Sequence, residues 1–445
     1  MGPRPLIVKL VILGCAFLWT GFVTAQEKSV NEEILDILRD KGQISEEKYE
    51  ELLKKAEAEK EPSTFRVYWK DGIRIDSRDG RFKFQITGRI MNDWAVFSAD
   101  SDTEAFFNEN FGSGTEFRRA RLGLGGTIYD VLDFKAEYDF ADGDADFKDV
   151  YVGLRKLPVI GHIKVGHKKE PFSLEDQTSS KYITFMERAL PTVFAPGYNT
   201  GVLFHNVELD GRLFWGVGGF RETDDFGEGF GEEDEYNITA RVTGLPWYEQ
   251  EGGRLLHLGI SYSHKFGDGD EGATVRFRQR PEAHLSPVRF VDTTDIPTDG
   301  VDLVTPEAAL VFGPFSAQGE YFHASVDRAN GSDVDFDGFY LFVSYFLTGE
   351  HRSYSKTKGA FDRVKPKKNF GLGKERGWGA WEIAARYSNL DLTDGSISGG
   401  ELHDFTLGVN WYLYPNARIM GNYIFADLDD VGETSIFQMR FQVDW

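Results

Sequence analysis

Two groups of arginines have spacings that could do chemistry. Arg276, Arg278 and Arg280 occupy alternate positions, so an extended backbone projects all three guanidinium groups from one face. Arg118, Arg119 and Arg121 form the second group, and alternation turns Arg119 and Arg121 to one side together with Gly123. A guanidinium is planar, stays charged at any useful pH and offers an oxyanion such as phosphate two parallel hydrogen bonds. A row of such forks passes an anion along, provided that no single site holds it too tightly. The competing role is pairing with carboxylates, and Asp93, Asp133, Glu137, Asp139 and Asp149 are available. The nine histidines show no metal-binding spacing, and no serine sits in a nucleophile elbow. No enzyme, cofactor or bound metal is expected.

Strands must position these groups. In the last eleven residues Phe437, Met439, Phe441, Val443 and Trp445 alternate with Gln438, Arg440, Gln442 and Asp444. Phe82 to Val96, Phe134 to Phe140, Trp381 to Tyr387 and Phe405 to Leu413 alternate in the same way. Such strands suit a wall with hydrocarbon on one side and a wet lumen on the other, and a closing aromatic residue is typical of bacterial outer-membrane barrels. Short turns at 130–132, 210–211, 313–314 and 415–416 interleave with longer polar loops near 98–115, 169–198, 223–235, 267–300, 393–402 and 428–433. That asymmetry predicts an all-β, antiparallel transmembrane barrel over 63–445 with about sixteen strands. The basic segment 347–378 is the exception, because a periplasmic turn should be short. Trp94, Trp247, Trp381, Trp411 and Trp445, with Tyr248 and Tyr387, lie near strand ends and read as interfacial girdles.

The amino terminus agrees with an exported protein. Arg4 and Lys9 precede an apolar run from Leu10 to Val23, and Val23 and Ala25 are placed for cleavage before Gln26. A lipoprotein leader centred on Cys15 is the alternative. Cleavage after Ala25 removes the only cysteine and two basic residues, so the net charge moves from −22 to −24. An acidic chain of this kind is not expected to bind nucleic acid. Beyond Gln26 no stretch approaches the ~18 apolar residues of a spanning helix. Residues 26–62 predict a short helical hairpin in the periplasm, with Ser29 and Ser45 as caps, Gly42 as a helix end and Pro62 as a stop. The acidic run 222–235 reads as a solvated outer loop, with divalent-cation bridging to lipopolysaccharide as the alternative.

Several segments resemble the phosphate-selective porin O/P family: Phe117-Arg118-Arg119-Ala120-Arg121-Leu122, Thr178-Ser179-Ser180-Lys181 with Glu187-Arg188, Tyr345 to Glu350, Val364-Lys365-Pro366, Gly379 to Glu382, Arg386-Tyr387 and Thr406 to Tyr412. The resemblance implies a sixteen-stranded outer-membrane porin, a homotrimer among outer-membrane lipid, passing inorganic anions. It implies an arginine ladder on the fifth outer loop, matched here by Arg276 and Arg278, with Arg280 beside Pro281. It also brings Lys181 into the constriction, while alternation sends Arg118 outward toward a subunit boundary. One departure stands out. Where the family's phosphate-selective members carry a lysine before Thr-Ser-Ser-Lys, this chain has Asp176, whose carboxylate would repel phosphate; Lys168, Lys169 and Lys181 are the cations that would offset it. A general or weakly cation-preferring diffusion porin is the alternative function.

Overall fold

The computed structural model describes residues 30–59, 65–141, 143–229, 236–268, 272–372 and 376–445. The expected leader (1–25), the Ser29 cap, Pro62 and the end of the acidic run (230–235) lie outside the described residues. Helices α1 (Val30–Asp40) and α2 (Glu46–Glu59) belong to a compact unit separate from the sheet. Gly42 follows α1 with φ at 64°. Ser45 Oγ accepts a hydrogen bond from the Lys48 amide at 3.3 Å, and the Tyr49 hydroxyl donates to Asp36 at 2.6 Å.

Sixteen strands build the wall. They are β1 (Phe82–Ala99), β2 (Ser113–Ile128), β3 (Leu132–Asp139), β4 (Asp146–Leu157), β5 (Gly161–Lys169), β6 (Tyr198–Glu208), β7 (Leu213–Arg221) and β8 (Tyr236–Glu249). Then come β9 (Arg254–Phe266), β10 (Ile296–Phe312), β11 (Phe315–Arg328), β12 (Val334–Phe346), β13 (Ala380–Asp394), β14 (Ile397–Tyr414), β15 (Ala417–Leu428) and β16 (Gly432–Asp444). Each strand pairs antiparallel with the next. β16 returns to β1 with Arg440 opposite Asp93, which closes the barrel, and a short ribbon (Phe65–Trp69 and Ile73–Ser77) pairs onto the start of β1.

Sequence and fold agree because lipid enforces the alternation. Phe437, Phe441 and Val443 remain 45–49% exposed on the outer face, as side chains meeting hydrocarbon must, while their neighbours Gln438, Arg440 and Gln442 are buried inside. The differences have physical causes. β10 and β14 begin earlier than the alternation indicates (301 and 403). Their inward residues, Ile296 and Leu402, pack into the loop-filled core, while polar residues interrupt the alternation on the other positions. Tyr248, expected in a girdle, turns inward beneath Lys356, whose Nζ lies 4.1 Å from the ring centroid. A register shift between Gly244 and Trp247 changes the parity there.

The bore is not uniformly open. Outer loop 3 (170–197) folds inward and crosses to the far wall. Its Leu174 and Glu175 amides donate to Glu320 at 2.8 and 2.7 Å, and its Met186 amide donates to Asn422 at 2.8 Å. Outer loop 5 (267–295) follows it, anchored by the buried Glu282, which accepts from Ser388 at 2.6 Å and Thr406 at 2.7 Å. Inward phenylalanines of both loops, Phe185, Phe194, Phe277 and Phe290, pack against inward apolar residues of β10–β16, including Leu303, Phe336, Leu402 and Ile436. Each buried aromatic contributes about 1.5–3 kcal/mol, so this half of the cylinder is a solid core. Open space remains against β1–β7.

Candidate functional site

The open space is a chamber of about 1100 Å³ between the β1–β7 wall, loop 3 and the periplasmic segment 353–365. Fifteen basic side chains line it against six acidic ones. The chain as a whole carries a net charge of −22, so the sign of the charge is reversed where a solute would pass.

On the wall, alternation carries Arg89, Arg121, Lys135, Glu137 and Asp139 inward. Glu137 draws three cations together: Arg89 at 3.2 Å, Arg121 at 3.3 Å and Lys135 at 3.1 Å. Arg121 also bonds Asp139 through Nε at 2.6 Å. Arg119 is almost fully buried, with its closest carboxylate contact at 4.0 Å to Glu187 and its Nε without a hydrogen-bond partner. From loop 3, Ser180 Oγ accepts from Arg89 at 2.8 Å, while Ser179, Lys181 and Arg188 face the same chamber.

Arg118 does not face outward. The β1–β2 ladder slips between Met91 and Asn92, where Arg119 lies opposite Met91 and Phe117 opposite Asn92. Arg118 is the extra residue of a bulge, which breaks strict alternation and swings its side chain onto loop 3. There it grips Glu187 with two bonds, at 3.0 and 3.1 Å. Arg440 reaches the same carboxylate at 2.6 Å. Burial opposes the charge of Glu187, but Arg118, Arg440 and Arg119 hold its pKa well below the usual carboxylate range.

Asp176 is inside the chamber but is not a bare negative charge. Lys169 bonds it at 2.5 Å and Arg188 lies at 3.5 Å. Against the penalty of burial, those two cations keep its pKa below the ordinary value. Two basic side chains thus flank the one carboxylate. Lys181 is shifted the other way: burial and then the nearby Arg89 lower its pKa to about 8, with Asp444 at 3.7 Å opposing the shift.

The loop 5 arginines stand apart from this chamber. Arg276 is held by Asp292 through two bonds, at 2.7 and 2.6 Å. Arg278 is exposed, and its side chain has no hydrogen-bond or ion-pair partner among the described residues. Arg280 is half-buried and donates through Nε to the Ser286 carbonyl at 2.9 Å. Arg119, Arg121 and Lys181 therefore share the chamber, Arg118 ties the wall to loop 3, and Arg276, Arg278 and Arg280 form a separate tier.

Reasoning on clusters missed part of the lining. Arg89, Lys135 and Lys164 are isolated from other basic residues in sequence, although inward parity alone marks them. The basic segment 347–378 enters the bore from the periplasmic end as a small hairpin, Ser353–Ser355 against Ala360–Asp362. Arg241 donates to the Gly359 carbonyl at 2.8 Å, the Tyr354 hydroxyl meets His257 Nδ1 at 2.7 Å, and Arg363 bonds Asp444. Its length, anomalous for a turn, was the available signal.

Known proteins share this architecture. The chain is 27% identical over 403 residues to Porin O of Pseudomonas aeruginosa, covering 81% of this chain and 87% of that one. It is 29% identical over 370 residues to an uncharacterized protein of Caulobacter vibrioides, covering 81% of this chain and 71% of the other. The anion-selective porin of Comamonas acidovorans has the same fold, with a TM-score of 0.53 at 14% identity over 82% of this chain and all of that one. The profile of the family "Phosphate-selective porin O and P" matches residues 84–445. With a closed sixteen-strand barrel, a lipid-facing exterior and a cationic bore, this chain belongs to that family of outer-membrane porins.

Proposed function

We propose that the protein is a passive channel favouring small oxyanions, phosphate and polyphosphate first, through a constriction lined by Arg119, Arg121, Arg89 and Lys181. The excess of fifteen cations over six carboxylates in the chamber carries this reading. The low-dielectric wall strengthens that potential, which concentrates anions and excludes cations. Arg89, Lys181 and Arg188 each pair with one carboxylate only, and such partial pairing lets an anion exchange contacts without being trapped. The name of the family supports a phosphate preference.

A general or weakly cation-preferring diffusion porin would draw on Asp176 and the acidic total. The pairing of Asp176 with Lys169 and Arg188 weighs against it. We further infer that residues 1–25 are an export leader, that 26–62 form a periplasmic spacer, and that the barrel assembles as a homotrimer. The deciding experiment is the reversal potential across a planar bilayer under a KCl gradient. A potential of the sign set by chloride is expected; one set by potassium would end the phosphate reading.

A further inference from the structure

The basic segment that enters the bore also leaves it. Val364 is buried against Phe346, Ala380 and Tyr412 on the bore side of the wall. Six residues later Phe370 has crossed beneath the strand ends to the outside, where its amide donates to the Leu413 carbonyl at 2.8 Å and its ring meets Trp411 edge-on at 5.2 Å. Trp411 is a lipid-side residue, in parity with the exposed Leu407 and Val409. Trp381 stacks on it at 5.1 Å. The carbonyl of Trp378 then accepts both indole N–H groups, at 3.2 Å from Trp381 and 2.7 Å from Trp411. The flap is thereby pinned to the periplasmic rim of the barrel, at the level of the inner-leaflet headgroups.

Its exposed face combines apolar and basic side chains. Leu372 is 85% and Trp378 77% exposed, and the bridge between Gly371 and Gly377 holds their two segments side by side. Lys368 and Arg376 lie on the same two segments, exposed and without a hydrogen-bond or ion-pair partner among the described residues. In sequence, residues 363–378 hold six basic residues and one acid, within a strongly acidic chain. Indole rings favour the headgroup level, and cations beside them attract anionic lipid.

We propose that this flap is a binding site for an anionic phospholipid of the periplasmic leaflet: Lys368 and Arg376 engage the phosphate while Trp378 and Leu372 enter the acyl boundary. The inference rests only on the barrel lying in a bilayer, not on its ion selectivity. Lys367 is omitted from the tests because its Nζ already donates to the Gly349 carbonyl at 2.5 Å.

The test uses the full chain in vesicles containing brominated phosphatidylglycerol or brominated phosphatidylcholine at equal mole fraction. The tryptophan quenching that disappears in Trp378→Phe should be stronger with phosphatidylglycerol. A Lys368→Gln, Arg376→Gln variant should lose that preference, by roughly fivefold in apparent affinity per cation removed. The exchange Lys368→Arg, Arg376→Lys should keep it, which separates charge from misassembly. Equal quenching by both lipids in the parent chain, no quenching by either, or a preference untouched in the glutamine variant would each overturn the proposal.

Discussion

Arg440 on the last strand and Asp93 on the first form a two-bond ion pair across the seam that closes the barrel, at 2.7 and 2.6 Å, with both side chains almost wholly buried. Arg440 also holds Glu187 of loop 3, so a single guanidinium joins barrel closure to constriction geometry. Arg440→Ala leaves two buried carboxylates short of a cation, at a cost of about 3–5 kcal/mol. The temperature at which the folded band disappears in a heat-modifiability gel should fall. Asp93→Asn combined with Arg440→Gln should recover part of the loss.

The terminal tryptophan makes a second test of the seam. The Trp445 amide donates to the Gly88 carbonyl at 3.0 Å, and a Cβ at Gly88 would come within 2.3 Å of the indole ring. Gly88→Val should therefore lower the yield of folded barrel in refolding with detergent, and Gly88→Val with Trp445→Ala should recover only part of it, because the Arg121 carbonyl also lies 2.9 Å from that Cβ.

Arg121 and Arg89 share Glu137, so removing either leaves that carboxylate with fewer cations facing the solute. Arg121→Ala should lower the chloride-to-potassium permeability ratio several-fold, read as a reversal-potential shift toward zero. Arg121→Ala with Glu137→Gln should return most of it, because the charge balance is then restored.

Lys181 sets an expected pH dependence. Its pKa is lowered to about 8, so it is largely protonated at neutral pH and loses its positive charge as pH rises through that value. Anion selectivity should decline from about pH 7 to about pH 9. Lys181→Arg should reduce that slope by keeping selectivity high at pH 9, and Lys181→Met should reduce it by lowering selectivity at pH 7. A parent profile without slope over this range would remove Lys181 from the conduction path.

In loop 5 the ladder is not chemically uniform. Arg276 is already engaged by Asp292, whereas Arg278 is free. Arg278→Ala should weaken the block of chloride current by added phosphate more than Arg276→Ala does. Asp292→Asn, which releases Arg276, should strengthen the block.

Much of this was readable in the chain. Phe437 to Trp445, or Trp381 to Tyr387, shows period-2 alternation because one face meets lipid along the whole strand, and this was enough to count sixteen strands. The inward position of Arg119 and Arg121 follows from the same rule. Arg118 escaped because one bulged residue resets parity, and nothing in Phe117-Arg118-Arg119 announces a bulge. The neutralisation of Asp176 depends partly on Arg188, twelve residues away, and that of Arg276 on Asp292, sixteen residues away, across loops whose course no periodicity encodes. The apolar filling of the β10–β16 side was hidden for a related reason. Phe339 to Val343 is apolar at inward and outward positions alike, so the pattern there cannot tell a lipid face from a loop-packed one.

Loop 3 reaches from β5 to Ser261, Glu320, Asn410, Asn422 and Arg440, residues on five strands of the opposite wall. It therefore works as a crossbeam. A cylinder braced in this way resists flattening when the surrounding bilayer thins or comes under tension, so the aperture should keep one cross-section. Discrimination then belongs to fixed charges rather than to a moving gate.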